Sequence, residues 1–518
     1  IYLASYDSDG LGATLSTNSD PIGIPVTYAG YALLFVSLVA MLFDPRGAYR
    51  GLLHSQLLKK GALIVTLLFT LMPASTLWAA STTDNIKAHY LPAATAEQFG
   101  RLNILYNSRI CPVQTVAIDF TKKLYGARSY KGLTAEQVFT GWIFWGEVWM
   151  DEPILKMKDD EMKQTLQLPD YVSANNFFNN DMGGYTIGPY VKEYYEGNHD
   201  KFHTQVASVD DKIQLLMDLR RGLLLKIFPN TVKANTTWYA PTEDLPKTIN
   251  AEHQRFMQTI FTLLFDEAEA GNYKQMDEMI GKIQKYQVKN AGTSLPTARQ
   301  TEAERTYNSI PFCHNTLYCM PHDGCAHLLL HDSKAVPRVP TGTEPRHTRR
   351  TQVRPYDTLV TALSAIVMLA SLASLTYCQY LRWTISGTLP MSNGYETMLF
   401  VAWIVQVVAL VFSLRFRILL TCGFLMSGFF LLVSHISQMD PQITHIMPVL
   451  NSPLLSIHVS IIMIGFALLS LPLINGITAL IVRMVNRNAS IVTLALQQLS
   501  LLFLYPAMAA LGIGILRR

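Results

Sequence analysis

At 518 residues the chain is too long for one ordinary domain, and its 49% hydrophobic against 15% charged residues exclude a simple soluble domain. The net charge of +4 is small, and the basic residues gather in short loops between apolar runs, which marks membrane orientation and no nucleic-acid partner. Of the six cysteines, Cys111, Cys378 and Cys422 stand alone and three crowd into one stretch, which excludes a disulfide framework.

The chain opens on Ile1 with no signal peptide ahead of the first apolar run, as expected of a fragment. Residues Tyr2–Ser19 alternate weakly and end in turn residues, predicting the tail of a β-rich region. Two spans follow, Pro25–Phe43 and Leu63–Ala80, each near the roughly 20 apolar residues that cross a bilayer. Arg46, Arg50, Lys59 and Lys60 between them put that loop in the cytoplasm, so residues 81–310 are expected outside.

That external domain reads as mainly helical. Thr134 to Gln137 is a capping-box pattern. Thr248–Ala270 and Lys274–Val288, joined at Gly271-Asn272, predict an αα-hairpin with apolar positions such as Phe256, Ile260, Leu263 and Leu264. Ala174–Gly184 reads as loop. Trp142, Trp145 and Trp149 recur at helical spacing and predict one apolar face of a core helix.

Residues 311–356 do not fit. Pro311–Ala335 is rich in Cys, His, Pro and Asp, and Val336–Arg354 carries five arginines. Cys313, Cys319, Cys325, His314, His322, His327 and His331 are capable zinc ligands, yet only His327 and His331 have a clear helical ligand spacing and no C-x-x-C pair is present. The other reading is a reading-frame error that replaced an apolar helix. Charge parity favours the frame error, because one crossing is missing between the external domain and the next span, and no metal site is assigned.

Five further spans are read at Asp357–Tyr380, Tyr395–Leu414, Ile418–Ser434, Leu455–Val482 and Thr493–Leu516. Arg415, Arg417, Arg483 and Arg487 mark cytoplasmic turns, which leaves Arg382–Gly394 and His435–Pro453 as outer loops. Pro472 and Gly476 are expected to interrupt the sixth span. The fold class is therefore mainly α: a polytopic helical membrane protein with a large, mostly helical extracytoplasmic domain. The expected parts are residues 1–80 with two spans, 81–310 as the external domain, the anomalous 311–356, and the membrane domain 357–518.

Polar groups in or beside apolar spans are expensive and tend to be functional. His458 sits at the outer start of the sixth span, where a neutral imidazole nitrogen suits haem iron; hydrogen bonding to a loop is the competing reading. His435 and His445 lie in the preceding outer loop, solvated or helping to hold a ligand. Ser392 or Asn393 is a natural N-cap, and Glu396 suits the positive end of the helix that follows.

The run Pro390-Met391-Ser392-Asn393-Gly394-Tyr395-Glu396-Thr397, with Phe400-Val401-Ala402-Trp403, resembles the P-x-S-N-x-Y-E-S and F-x-A-W signature of the CcsA (ResC) proteins of system II cytochrome c biogenesis. The segment Ser452-Pro453-Leu454-Leu455-Ser456-Ile457-His458-Val459-Ser460 is similar to that family's external-histidine segment. The first half resembles the partner CcsB (ResB) more loosely, through Asp20-Pro21-Ile22-Gly23-Ile24-Pro25 and the spans flanking a large external domain. The resemblance as a whole is to a CcsB–CcsA fusion truncated at both ends.

It implies a bacterial cytoplasmic-membrane protein whose large domain is periplasmic. Its partners are expected to be haem, apocytochrome c and the lipid bilayer, with haem b a transient, substrate-like cofactor. His458 matches the first external axial histidine, while Pro390, Ser392, Asn393, Tyr395, Glu396 and Trp403 carry the family motif. No catalytic residue is assigned. The family is a cytochrome c synthetase, but the chain stops at Leu511–Arg518, before any tryptophan-rich loop between late spans, so ligation is not expected to go to completion. The near-match Trp145-Gly146-Glu147-Val148-Trp149-Met150-Asp151 lies in the external domain instead. Two other classes stand beside this reading: a membrane transporter, and a scaffold that binds a partner through the external domain.

Overall fold

The computed structural model describes residues 2–6, 13–16, parts of 29–53, 88–310 apart from 158, 180–183, 233–234 and 247–248, and then 355–413, 418–436, 442–443, 453–485 and 490–516. The span read at Leu63–Ala80, the Cys/His-rich stretch and basic run at 311–354, and His445 lie outside the described residues.

At the start, β1 (Tyr2–Tyr6) and β2 (Ala13–Ser16) pair antiparallel. Residues 88–310, the domain expected to be external, pack their helices around one core and add small two-stranded ribbons. Its elements include α1 (Ala93–Gly100), the ribbon β3 (Asn103–Tyr106) and β4 (Arg109–Pro112), and α2 (Val113–Tyr125). Next come α3 (Ala135–Phe144), α4 (Gly146–Trp149), α5 (Gly188–Tyr195) and α6 (Lys201–Arg220). The ribbon β5 (Phe228–Val232) and β6 (Asn235–Tyr239) leads to α7 (Ala251–Ala270), α8 (Tyr273–Asn290) and α9 (Ala298–Ser309).

The capping box forms at Thr134: its hydroxyl accepts from the Gln137 backbone N–H, and the Gln137 side chain accepts from the Thr134 N–H. The αα-hairpin forms as α7 and α8, turning at Gly271 in the left-handed region, φ 72°, which a glycine adopts without a Cβ clash. The first helix starts at Ala251 because Asn250 caps it, its Oδ1 accepting from the Glu252 N–H.

The single tryptophan-bearing helix does not form. The chain breaks at Trp145, φ −129° and ψ 39°, so Trp142 belongs to α3 and Trp149 to α4. Both indoles are nonetheless fully buried, 6.0 Å apart, and Trp149 Nε1 donates to the His89 carbonyl at 2.8 Å. Gly141 makes this possible, since a Cβ there would meet the Trp149 ring. The core role stands while the helix register is corrected.

The membrane part holds α10 (Pro355–Ser386), α11 (Gly394–Ser413), α12 (Ile418–Ile436), α13 (Pro453–Val485) and α14 (Ser490–Leu516). Four contain stretches long and apolar enough to cross a membrane, and α12 holds a shorter apolar stretch, Leu419–His435. Large apolar side chains face outward from these helices, as with Leu480 at 68% exposure, which suits lipid rather than water. The protein is a mainly α, polytopic membrane protein.

Packing relies on small residues that let backbones approach. A Cβ at Gly423 would strike Ala409 on α11, one at Gly465 would strike Leu511, and one at Gly514 would strike Ile462. The last two contacts set the antiparallel register of α13 and α14. Pro472 does not interrupt α13, which runs unbroken through it; neighbouring helices re-satisfy a proline's lost backbone bond inside a membrane bundle.

The C-terminal end of α10 meets α9 of the external domain: Arg299 donates to the Tyr380 hydroxyl at 2.6 Å and Arg382 donates to the Tyr307 hydroxyl at 2.7 Å. The domain therefore sits at the end of the bundle that carries the loop before α11. Ile310 follows α9 at that end, whereas Pro355 begins α10 some 27 residues before Arg382, about 40 Å away at 1.5 Å per residue.

Candidate functional site

Arg382, read as the first residue of an outer loop, is instead inside α10 and fully buried. Its Nε and Nη2 both donate to Glu396 Oε1, at 2.9 and 2.7 Å. The Tyr307 and Tyr395 rings flank the guanidinium at 5.4 and 5.2 Å, and the Gln442 carbonyl accepts from it at 3.5 Å. An apolar bundle end tolerates this ion pair because hydrogen bonds occupy both partners.

The other oxygen of Glu396 holds the loop. Oε2 accepts from the Ser392 backbone N–H at 2.8 Å and from the Ser392 hydroxyl at 2.6 Å. Asn393, not Ser392, caps α11: its Oδ1 accepts from the Glu396 N–H at 2.9 Å, and its amide donates to the Gln442 carbonyl at 3.1 Å. Pro390 is buried before the loop and Tyr395 after it. Trp403 lies two turns on and donates from Nε1 to Thr376 Oγ1 at 2.8 Å, joining α11 to α10. Ser392, Asn393, Tyr395 and Glu396 thus meet in one knot, while Trp403 joins α11 to α10 two turns away. The sequence reading missed Arg382, Tyr307 and Gln442; a lone arginine at the end of an apolar span, one loop ahead of a glutamate, was the available signal for the first.

His458 stands apart from that knot. It is half-buried in the second turn of α13, and its Nδ1 is buried without a hydrogen-bond partner among the described residues. Ile462 and Gly465, one and two turns along the same face, pack on Gly514 and Leu511 of α14. His458 therefore faces the C-terminal end of α14. Ser460, two residues on, donates its hydroxyl proton to the Ser456 carbonyl at 2.7 Å, and the same oxygen lies 3.7 Å from Met391 Sδ. This contact brings the His458 helix beside the Glu396-held loop. His435, at the end of α12, lines a separate cavity with Tyr395.

Among the described residues no group of three or more His, Cys, Asp or Glu could hold a metal ion. Burial pushes the Cys111 thiol well above its usual range, which leaves it protonated and unreactive. An unpartnered buried imidazole nitrogen is costly, and that cost is relieved when a ligand or a further chain segment completes the site. His458 carries such a nitrogen in Nδ1.

A helical membrane bundle with a second helical domain docked on a buried Arg–Glu pair defines a class, and similarity to known proteins narrows it. Residues 391–516 match the Cytochrome C assembly protein family. Over 477 residues, 89% of this chain and 50% of the relative, the chain is 28% identical to Protein NrfI of Wolinella succinogenes. It is 30% identical to the cytochrome c biogenesis protein CcsA of Cycas taitungensis over 125 residues, 22% of this chain and 36% of that protein. With CcsA of Chlamydomonas reinhardtii the identity is 31% over 119 residues, 21% and 33% of the two chains. The chain thus spans half or less of the length of these curated relatives. Its C-terminal part, residues 391–516, is similar to the cytochrome c assembly domain of the CcsA proteins.

Proposed function

We infer that the chain takes part in cytochrome c maturation by handling haem at the outer face of the membrane. His458 serves as one axial ligand to the iron of haem b, which is substrate rather than resident cofactor. The reaction served is addition of apocytochrome c cysteine thiols across the haem vinyl groups: each S–H adds to a C=C bond, forming a thioether with no net redox change. In this assignment His458 holds the iron, and the Glu396-held loop fixes the start of α11 beside the helix that carries His458. Residues 1–80 and 81–310 make up the CcsB-like half, with 81–310 periplasmic, 311–356 the anomalous segment, and 357–518 the CcsA-like half.

The observation that carries this reading is the orphaned Nδ1 of a half-buried imidazole in the cytochrome c assembly domain. Purified chain loaded with haem should show an imidazole-ligated absorption spectrum that His458→Ala removes or shifts. Identical spectra for the two proteins would end the role of His458, and a chain that takes up no haem would end the reading as a whole.

A further inference from the structure

Between the external domain and the membrane helices lies a cavity of about 650 Å³, a size in the usual range of ligand sites, roughly 300–1,000 Å³. Its roof comes from α2, the turn after it and α9; its floor comes from Tyr395 at the start of α11 and from Ser434 and His435 at the end of α12. These are helix ends, so the cavity lies at the level where the apolar band stops. On α10 that level is marked by Tyr377, Tyr380 and Trp383, all exposed aromatics, the belt expected where a bilayer meets water.

The charges in the cavity do not all cancel within it. Glu304 is fully engaged: Arg109 donates to both its oxygens at 3.0 and 2.7 Å, and Thr115 donates at 2.6 Å. Asp119 and Lys122 offset one another formally. Arg128 remains, half-buried on the cavity wall and making no ion pair or hydrogen bond among the described residues. A partly desolvated guanidinium without an acceptor is unfavourable, and its planar fork matches the oxygens of a phosphate.

We propose that this cavity binds the phosphate headgroup of an anionic lipid, with Arg128 as its principal contact. The occupant's acyl chains lie in the adjoining leaflet, and its head fills the seam between domain and bundle. Basic pockets at the membrane surface recognise anionic lipids in this way. The assignment is independent of the haem reading, since it involves neither His458 nor iron.

The test uses the full chain reconstituted in nanodiscs of phosphatidylglycerol or of phosphatidylcholine, followed by native mass spectrometry of the lipid retained after release. Wild type should keep phosphatidylglycerol preferentially. Arg128→Ala should lower that retention about tenfold, the effect of one charge-assisted hydrogen-bonding group. Arg128→Lys should recover part of it, because it restores the charge without the fork. The Lys variant alone decides the matter if the Ala variant fails to fold. Equal retention of the two lipids, or retention that ignores both Arg128 substitutions, would overturn the proposal. So would complete displacement of the lipid by millimolar inorganic phosphate, which would make the site one for free phosphate.

Discussion

The guanidinium of Arg382 and the carboxylate of Glu396 meet with side-chain exposures of 0% and 1%, Nη2 standing 2.7 Å from Oε1. The pair is the point where external domain, motif loop and membrane helices converge. Removing one partner strands a charge with no water to reach it, a loss of about 3–5 kcal/mol for a buried pair. Arg382→Met should therefore destabilise the chain by that order in a denaturant titration in mild detergent. The double variant Arg382→Met with Glu396→Leu should regain much of the loss, because neither charge is then left alone. A double variant as unstable as the single would show that Ser392 and Tyr307, not charge pairing, dominate the knot.

Trp149 separates a packing role from a haem-presenting one. Its ring is fully buried and fills the space over Gly141, so Trp149→Ala should cost about 3–5 kcal/mol, as for other large aromatic truncations. Gly141→Ala should cost about 1–3 kcal/mol by overpacking the same contact. Thermal melts followed by circular dichroism read both. If Trp149→Ala leaves the melt unchanged but alters the spectrum of bound haem, the core assignment is wrong.

His203 is held between two carboxylates, with Nδ1 2.7 Å from Asp200 and Nε2 2.9 Å from Glu193. Carboxylates only accept, so both ring nitrogens donate and the imidazolium form is favoured. The hydrogen bond to Asp200 raises the His203 pKa, and hydrogen bonds from the backbone N–H and ring of His203 lower that of Asp200. A raised histidine stabilises fully below its unfolded value, near 6.5, and that contribution is lost as pH climbs through the higher folded value. The lowered Asp200 contributes above about 3.9 and loses its share as pH falls towards the folded value. The melting temperature should thus be highest in mildly acidic buffer and drop through neutrality. His203→Asn should flatten the drop at the alkaline end; a variant whose profile overlays the wild type would remove His203 from the account.

Gly423 lets α12 approach α11 at Ala409. Gly423→Leu should force the two helices apart and destabilise the bundle by about 1–3 kcal/mol or more, measured by unfolding in detergent. Leucine substituted at the exposed, lipid-facing position Val411 should change little. Equal effects at the two sites would mean that the close approach is not what stabilises this pair.

Much of the architecture was legible along the chain because its physical determinants are local. Apolar runs of spanning length define α10 to α14 within a few residues at most ends, since hydrophobic length must match the bilayer whatever the neighbours are. The Thr134 capping box and the Gly271 turn are equally local, set by side chains three residues apart and by a backbone angle that glycine tolerates. The motif from Pro390 to Trp403 and the placement of His458 at the head of its helix could also be read directly.

The partners of those residues could not. Glu396 looked sufficient as a helix-start carboxylate, and only folding brings Arg382, fourteen residues earlier, onto it and Tyr307, from another domain, onto Arg382. The break at Trp145 was invisible to a periodicity argument, because Trp142 and Trp149 are both buried whether the helix continues or turns. Which face His458 presents was decided by the Gly465 and Gly514 contacts of α13 with α14. Local sequence determines where helices begin, end and meet lipid, whereas pairing energies between distant polar groups depend on distance and desolvation, which exist only once the tertiary structure has formed.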